Sequence, residues 1–307
     1  MTMDTRVHTS LAQLLKLRYQ ARGFSLQPQQ PVSSVLSGRK RSKLRGRGLD
    51  FIELRHYHLG DDIRTMDWRV SNRTGKPHVR VYAEEKDRSV YLLVDQRSSL
   101  FFGSQYKMKS VIAAELAALA AWRILRAGDR VGALLFNDDR LEQFPPSRSE
   151  QNLIQCFSQL IKMNNALSAT THAQPTSITL KEALQKTERY TSHDSLIIVI
   201  SDFNDWDEQC LKSFKRLAQH NDVVAALISD PLEQDPAVAD KLVVSDGTHQ
   251  FEIDSSNTAL MENYRNCVSK NFEDIRLNLI RHNIPVIAMN TREDVLRQVQ
   301  SALGGQR

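Results

Sequence analysis

The chain has 307 residues, with 41 Lys or Arg against 36 Asp or Glu, so its formal net charge is +5. Its most apolar run, Val111–Trp122, is interrupted by Glu115 and is too short to cross a bilayer, and the N-terminus lacks the apolar core of a signal peptide. Three widely spaced cysteines, Cys156, Cys210 and Cys267, argue against a disulfide framework. Composition therefore predicts a globular protein of the cytoplasm with reduced thiols.

Positive charge is concentrated near the N-terminus. Residues 1–49 contain ten Lys or Arg and one acidic residue, Asp4, and the densest basic run is Gly38–Gly48. We expect residues 1–34 to form a basic, partly disordered leader with one short amphipathic helix at Leu11–Tyr19. The run at residues 38–48 suits nucleic acid, an anionic membrane surface or an acidic protein patch. Because no aromatic residues interleave with its charges, packing on the acidic body of the same chain is the favoured alternative.

Residues 35–88 interrupt the pattern of the rest of the chain. They combine many charged residues with few apolar ones, and the stretch from Lys76 onward predicts two strands in tandem. We expect a small β-rich appendage here, packed on the first strand of the domain that follows.

From residue 89 onward, strands and helices alternate. Continuous β-branched and apolar runs are typical of buried parallel strands. The predicted strands are SVYLLVD, RVGALLF, SLIIVISDF, DVVAALIS and PVIAMNT, with a hairpin turning at residues 137–139, a loop starting at Pro145 and Pro146, and an antiparallel pair, KLVVSD and HQFEID. The predicted helices are Gln105–Ala127, Glu150–Met163, Ile178–Glu188, Asp207–His220, Met261–His282 and Glu293–Leu303. This alternation predicts an α/β fold for residues 89–303, an open, mostly parallel sheet with helices on both faces.

Two segments of the chain resemble a known family. Gly46 and Gly48 precede a stretch that fits the pattern R-x-Y-x-x-G-D-x-x-R-x-x-D-W, and a strand ending in Asp95 and a D-P-x-E turn at residues 230–233 follow. The positions that match the long pattern are Arg55, Tyr57, Gly60, Asp61, Arg64, Asp67 and Trp68. The chain thus resembles the domain of unknown function family 58. These are bacterial proteins with a von Willebrand factor A-like domain, often encoded beside MoxR-type AAA+ ATPases. The resemblance implies that fold, and such an ATPase as a partner.

The resemblance also raises the question of a metal-ion-dependent adhesion site. Sites of this type hold Mg²⁺ through the hydroxyls of a D-x-S-x-S loop, a Thr from a second loop and an Asp from a third. Here Asp95 and Ser99 match the first loop, Asp202 matches the third, and Ser147 or Ser149 stands in for the second. Arg97 replaces the middle serine of the first loop. A guanidinium there can neutralise the aspartates itself, so a degenerate site is favoured over Mg²⁺ binding.

The polar cluster from Arg55 to Arg73 has two interpretations. It is either a docking surface or a set of internal bonds, in which Asp61 and Asp67 accept from Arg64 and Trp68 is a packed anchor. We favour the second for Asp67 and Trp68. His56 and His58 would share one strand face as a metal pair, although a third ligand with clear spacing is missing and satisfied histidines are favoured.

The sequence lacks the P-loop, the nucleophile elbow, the HExxH helix and the dinucleotide fingerprint. The leading hypothesis is therefore a non-enzymatic adaptor that works with a MoxR-type AAA+ ATPase in the assembly or activation of another complex. Its partner face would lie at the strand ends, with Arg97, Ser98 and Asn204. One alternative is a nucleic-acid-associated protein that uses the basic arm. Another is a metal-dependent hydrolase at Asp95, Asp202 and Asp61.

Overall fold

The computed structural model describes residues 4–21, 49–58, 60–84, 88–169, 178–234, 241–245, 250–254 and 258–303. The sequence predictions that concern Gly46, Gly48 and the basic run at residues 38–48 lie outside these ranges. The chain divides into two compact units. The small unit is residues 36–87, and the large unit comprises residues 1–35 and 88–307.

The large unit is built around a six-stranded sheet. Its strands, in chain order, are β3 (Ser89–Asp95), β4 (Arg130–Phe136), β5 (Leu141–Ser147), β6 (Leu196–Ser201), β7 (Asp222–Ser229) and β10 (Val286–Asn290). Their order across the sheet is β10-β7-β6-β3-β4-β5, and all neighbours are parallel except β4 and β5. Strands β8 (Lys241–Ser245) and β9 (Gln250–Asp254) form the separate antiparallel pair that the sequence predicts.

Helices cover both faces of this sheet. They are α1 (Leu11–Gln20), α3 (Lys109–Arg126), α4 (Glu150–Ala166), α5 (Leu180–Tyr190), α6 (Glu208–His220), α7 (Pro231–Gln234), α8 (Thr258–Arg281) and α9 (Val295–Leu303). Successive strand residues alternate between two cores: Leu92 packs with α3 and α4, whereas Leu93 packs with α5, α6 and α8. The predicted open, mostly parallel α/β sheet with helices on both faces is confirmed.

The order of the strands determines where a site can form. From β3 the chain goes to β4 on one side, and β6 lies on the other side of β3. At such a switch point the connections leave in opposite directions and open a crevice outside the carboxyl ends of the strands. Asp95 ends β3 at this position.

Helix α1 belongs to the core of the large unit. Leu14 is fully buried, and the indole Nε1 of Trp122 in α3 donates to its carbonyl oxygen at 2.9 Å. Thr9, just before the helix, donates its backbone N–H to the side chain of Asn164 in α4. The predicted helix is therefore present, but residues 4–21 are a packed element and do not behave as a separate leader.

Strand β5 corrects the sequence prediction for Pro145 and Pro146. Both prolines lie inside this strand and do not start a loop. Because β5 is an edge strand, a missing N–H is tolerated there. The hairpin also carries the chain back toward the amino ends of the parallel strands, since Leu141 pairs with Phe136 and Ser147 pairs with Val131.

The small unit contains an antiparallel pair, β1 (Leu49–His56) and β2 (His78–Glu84), joined through a 3-10 turn at Ile63–Thr65 and helix α2 (Trp68–Thr74). Strand β2 and β3 belong to different sheets. In the part of the chain that the structure describes, no helix has the length and apolarity that a membrane span requires.

Candidate functional site

Acidic residues gather at the carboxyl ends of the parallel strands. Asp95 ends β3, Asp202 follows β6 and Asp230 follows β7, while Asp138 lies in the turn after β4. Each is held by side chains or backbone amides from other segments, so these strand ends form one structured edge of the sheet.

Arg97 neutralises Asp95. Its Nε donates to Asp95 Oδ1 at 3.0 Å and its Nη2 donates to Asp95 Oδ2 at 2.8 Å. The same carboxylate accepts the backbone N–H of Arg97 and the hydroxyl of Ser201, the last residue of β6. Burial raises the pKa of Asp95, and the charge of Arg97 opposes that rise. Asp95 thus depends on Arg97 for its negative charge to be tolerated in the interior.

Arg97 also bridges to a second carboxylate. Nη1 and Nη2 donate to the two oxygens of Asp205 at 2.8 and 3.0 Å, and the guanidinium carbon lies 5.2 Å from the ring centroid of Phe136. Burial alone would lower the pKa of Arg97, but Asp95 and Asp205 raise it above its ordinary value. Asp205 further accepts the backbone N–H of Leu180 at the start of α5, so the pair ties β3 to α5.

Lys109, in the first turn of α3, supplies the second buried cation. Its Nζ donates to Asp202 Oδ2 at 3.1 Å and to Glu233 Oε1 at 2.5 Å. Burial alone would raise the pKa of Asp202, but Lys109 and Arg97 lower it below its ordinary value. The sequence predicts that Arg97 lies between both aspartates, whereas in the structure Asp95 pairs with Arg97 and Asp202 pairs with Lys109.

Two further acids fix the loops at this edge. Asp138 accepts the backbone N–H and the hydroxyl of Ser98. Asp230 accepts the backbone N–H and hydroxyl of Ser104 and the hydroxyl of Thr291, which follows β10. The loop that joins β3 to α3 is therefore bound to the ends of β4, β7 and β10.

Ser147 and Ser149, the two alternatives for the second loop of the predicted metal site, do not lie at this edge of the sheet. Ser147 pairs with Val131 at the amino end of β4, whereas Asp95 pairs with Phe136 at the carboxyl end. Ser149 caps α4 by accepting the backbone N–H of Asn152. Because the β4–β5 hairpin reverses the chain, neither serine belongs to the edge that carries Asp95.

The remaining residues do not fit a magnesium site. Magnesium requires several oxygen ligands around one position, but Arg97 and Lys109 bind the carboxylates that would supply them. The buried hydroxyl of Ser99 has no hydrogen-bond partner among the residues that the structure describes. No cluster of three or more His, Cys, Asp or Glu side chains able to hold a metal occurs in the described ranges.

Around the two buried cations is an accessible rim, which we call the binding face: Phe102, Tyr106, Asn204, Asp205 and Glu233. Phe102 and Tyr106 are 38% and 46% exposed, and Asn204 is exposed as well. The Phe102 ring lies 5.9 Å from Lys109 Nζ, and the backbone N–H of Tyr106 donates to Thr291. Arg97, by contrast, is 7% exposed, so it is not the accessible partner contact that the sequence suggested.

Several residues of the polar cluster form hydrogen bonds within the small unit. Arg55 donates to both oxygens of Asp61 at 2.8 and 2.7 Å, and the backbone N–H of His58 donates to the same carboxylate. Gly60, with φ of 104°, occupies a backbone conformation that other residues rarely adopt. The hydrogen bond from Arg55 lowers the pKa of Asp61. Asp61 is therefore occupied as an ion-pair partner.

Asp67 has a comparable structural role. It caps α2 by accepting the backbone N–H groups of Arg69 and Val70, and Arg80 Nε donates to it at 2.8 Å. The expected bonds from Arg64 to Asp61 and Asp67 are absent, since Arg55 and Arg80 take those places. Tyr57 donates its backbone N–H to Pro77.

Trp68 and the histidines differ from their predicted roles. Trp68 is 62% exposed and is not a packed anchor, because α2 presents it to solvent at its first position. His56 lies against His78 across the strand pair, with ring centroids 4.5 Å apart, while His58 contacts Arg55. The metal pair of His56 with His58, which we did not favour from the sequence, does not form, and His56 lies against His78 instead.

Comparison with known proteins finds one family and several relatives. The model of the family described as "Protein of unknown function DUF58" matches residues 53–273. The chain is 27% identical over 292 residues to the uncharacterized protein Rv1480 of Mycobacterium tuberculosis and to the uncharacterized protein Mb1516 of Mycobacterium bovis. Each alignment covers 92% of this chain and 88% of the relative. Neither relative carries a described activity in its name.

Solved structures show partial similarity. The conserved hypothetical protein BatB from Bacteroides thetaiotaomicron aligns with 12% identity and a TM-score of 0.41, over 70% of this chain and 95% of that chain. A von Willebrand factor type A protein from Catenulispora acidiphila aligns with 7% identity and a TM-score of 0.30, over 49% of this chain and 35% of that chain. We draw no functional conclusion from similarities of this size.

Proposed function

We propose that this chain, which belongs to the DUF58 family, is a non-enzymatic interaction protein. Its partner would be a MoxR-type AAA+ ATPase, as the sequence resemblance implies, and its role would be that of an adaptor in the chaperone-like assembly or activation of another complex. We also propose that it works in the cytoplasm.

The observation that carries this proposal is the pairing of charges at the carboxyl edge of the sheet. Asp95 accepts five hydrogen bonds, four from Arg97 and one from the hydroxyl of Ser201, and Asp202 is bound to Lys109. Carboxylates whose lone pairs are already used by buried cations are poor general bases and poor metal ligands, because a substrate would have to displace an ion pair.

The same pairing makes the edge a rigid platform. Two buried cations and the Asp230 bonds fix the loop at residues 96–108, so Phe102 and Tyr106 are presented with little freedom left to lose on binding. Tyrosine side chains combine a large apolar body with a polar tip. The carboxylates of Asp205 and Glu233, which belong to the same face, are partly exposed. The binding face therefore suits a partner loop that offers apolar and basic side chains.

The hydrolase alternative is weaker on geometric grounds. It requires Asp95, Asp202 and Asp61 as available carboxylates, but Arg97, Lys109 and Arg55 bind them. Nucleic-acid binding through residues 38–48 remains a second candidate that depends on the sequence alone.

The experiment is a pull-down of a purified MoxR-type ATPase from the same organism. We expect wild type to retain the ATPase and the double variant Phe102→Ala/Tyr106→Ala to lose it. The matched control is Tyr190→Ala, which removes an aromatic ring of similar exposure from α5. Equal retention by wild type and the double variant would refute the binding face, and failure of wild type to bind would refute the partner.

A further inference from the structure

One aromatic ring of the small unit is largely exposed to solvent. Trp68 is 62% exposed, while its neighbour Asp67 is fully occupied by the cap of α2 and by Arg80. Leu54, which is 37% exposed, lies opposite Arg80 in the pairing of β1 with β2. Two accessible apolar side chains thus flank the Asp67–Arg80 ion pair.

Exposed basic side chains lie on both sides of Trp68 along the chain. Arg64, Arg69, Arg73 and Lys76 are exposed, and none of them forms an ion pair with the residues that the structure describes. Arg69 and Arg73 are four residues apart and therefore share one face of α2. Like charges at this spacing destabilise a helix slightly, so the arrangement does not stabilise the small unit by itself.

Basic residues outnumber acidic ones around Trp68. The stretch from Ile63 to Arg80 contains five Lys or Arg and one acidic residue, Asp67. A local excess of this kind attracts an anionic partner over distances up to about a Debye length, ~8–10 Å at moderate salt.

We propose that Trp68, Leu54, Arg69, Arg73 and Lys76 form a docking surface for an acidic protein segment that carries apolar side chains. Tryptophan and arginine are the side chains most often found at the energetic centre of protein interfaces. The exposed aliphatic side chains of Leu54 and Ile63 favour a peptide over a nucleic acid as the ligand. They can pack against apolar side chains, but they cannot stack on bases as aromatic rings do. This surface belongs to the small unit, and its existence does not depend on the ATPase.

The test uses the full-length protein and two labelled probes. One is a short synthetic peptide in which glutamates alternate with leucines and phenylalanines, and the other is an oligo-dT single strand. Binding is measured by fluorescence anisotropy. The variants are Trp68→Ala and Arg69→Glu/Arg73→Glu. The control is Arg126→Glu/Lys215→Glu, which changes the net charge equally at exposed positions of the large unit. We expect peptide affinity to fall about tenfold in either variant and to stay unchanged in the control.

Intrinsic fluorescence gives an independent readout. Trp122 is buried and Trp206 is partly buried against Phe203 and Phe214, so the largely exposed indole of Trp68 contributes the most red-shifted emission, which the peptide should shift to the blue. That blue shift should be missing in Trp68→Ala, whose melting temperature we expect to match wild type because the indole is exposed. Tighter binding of oligo-dT than of the peptide would overturn the proposal in favour of nucleic acid. Equal peptide binding by wild type and both variants, or self-association through Trp68 in sedimentation, would also overturn it.

Discussion

The guanidinium of Arg97 is bound to the carboxylate of Asp95, two residues before it in the chain, and both side chains are buried. A D-x-S-x-S loop of the metal-binding type would have a serine in place of this arginine. The pairing therefore assigns Arg97 to the stability of the large unit, where the sequence had suggested an exposed partner contact.

Arg97→Ala should destabilise the large unit by about 3–5 kcal/mol, because it leaves Asp95 buried without a counter-charge. Denaturant unfolding followed by circular dichroism measures the change. Asn204→Ala, at an exposed position of the same edge, is the control and should melt like wild type. An Arg97→Ala protein as stable as wild type would show that Asp95 does not need the arginine.

Magnesium should not raise the melting temperature of wild type, since we propose that Arg97 and Lys109 take the places of a divalent cation. A ligand that binds only the native state must stabilise it by mass action. Arg97→Ser restores the hydroxyl and frees Asp95, and this variant should gain stability with millimolar Mg²⁺. The double variant Asp95→Ala/Arg97→Ser should not. Strong stabilisation of wild type by Mg²⁺, abolished by Asp95→Ala, would contradict the assignment.

Helix α1 should be required for stability. Leu14→Ala should cost about 2–5 kcal/mol because it opens a cavity between α1 and α3. Tyr19→Ala on the same helix is the control, since Tyr19 is 69% exposed. Chemical denaturation measures the free energy of unfolding of the two variants. Deletion of residues 1–21 should lower the melting temperature further. The packing of α1 against α3 and α4 makes loss of the folded large unit the expected result of that deletion. Equal stability of Leu14→Ala and wild type would restore the idea of a dispensable leader.

Asp230 should make the large unit sensitive to acid. Burial alone would raise its pKa, but hydrogen bonds from Ser104 and Thr291 lower it below the ordinary value. A carboxyl group with a lowered folded-state pKa stabilises the protein above its unfolded pKa of about 3.9, and that stability is lost as pH falls through the folded value. Unfolding free energies measured between neutral and acidic pH should therefore fall less steeply for Asp230→Asn than for wild type. Parallel pH curves for the two proteins would refute this role.

The strands of the large unit were predictable because burial on both faces produces continuous apolar runs. The hairpin after β4 was predictable from its polar turn, but its consequence for Ser147 and Ser149 was not drawn from the sequence. That consequence follows from strand direction: an antiparallel return brings Asp138 to the site and removes the two serines from it.

The buried cations illustrate what the sequence leaves undetermined. Lys109 reaches Asp202 across 93 positions, and Arg97 reaches Asp205 across 108 positions. Ion pairs of this separation depend on which strands are neighbours, and no local spacing indicates them. The exposure of Trp68 was missed for a related reason. In a segment with few apolar residues, residue type alone does not reveal whether a large ring has anything to pack against.

The most direct test of the proposed function is hydrogen exchange of the full-length protein with and without the purified MoxR-type ATPase. We predict that the complex gains protection in the segments at residues 101–108 and 202–206, which carry Phe102, Tyr106 and Asn204. We predict no gain at the amino ends of the strands, where Ser147 and Tyr190 lie. Formation of a complex whose protected residues exclude both segments, or no complex at all, would contradict the account.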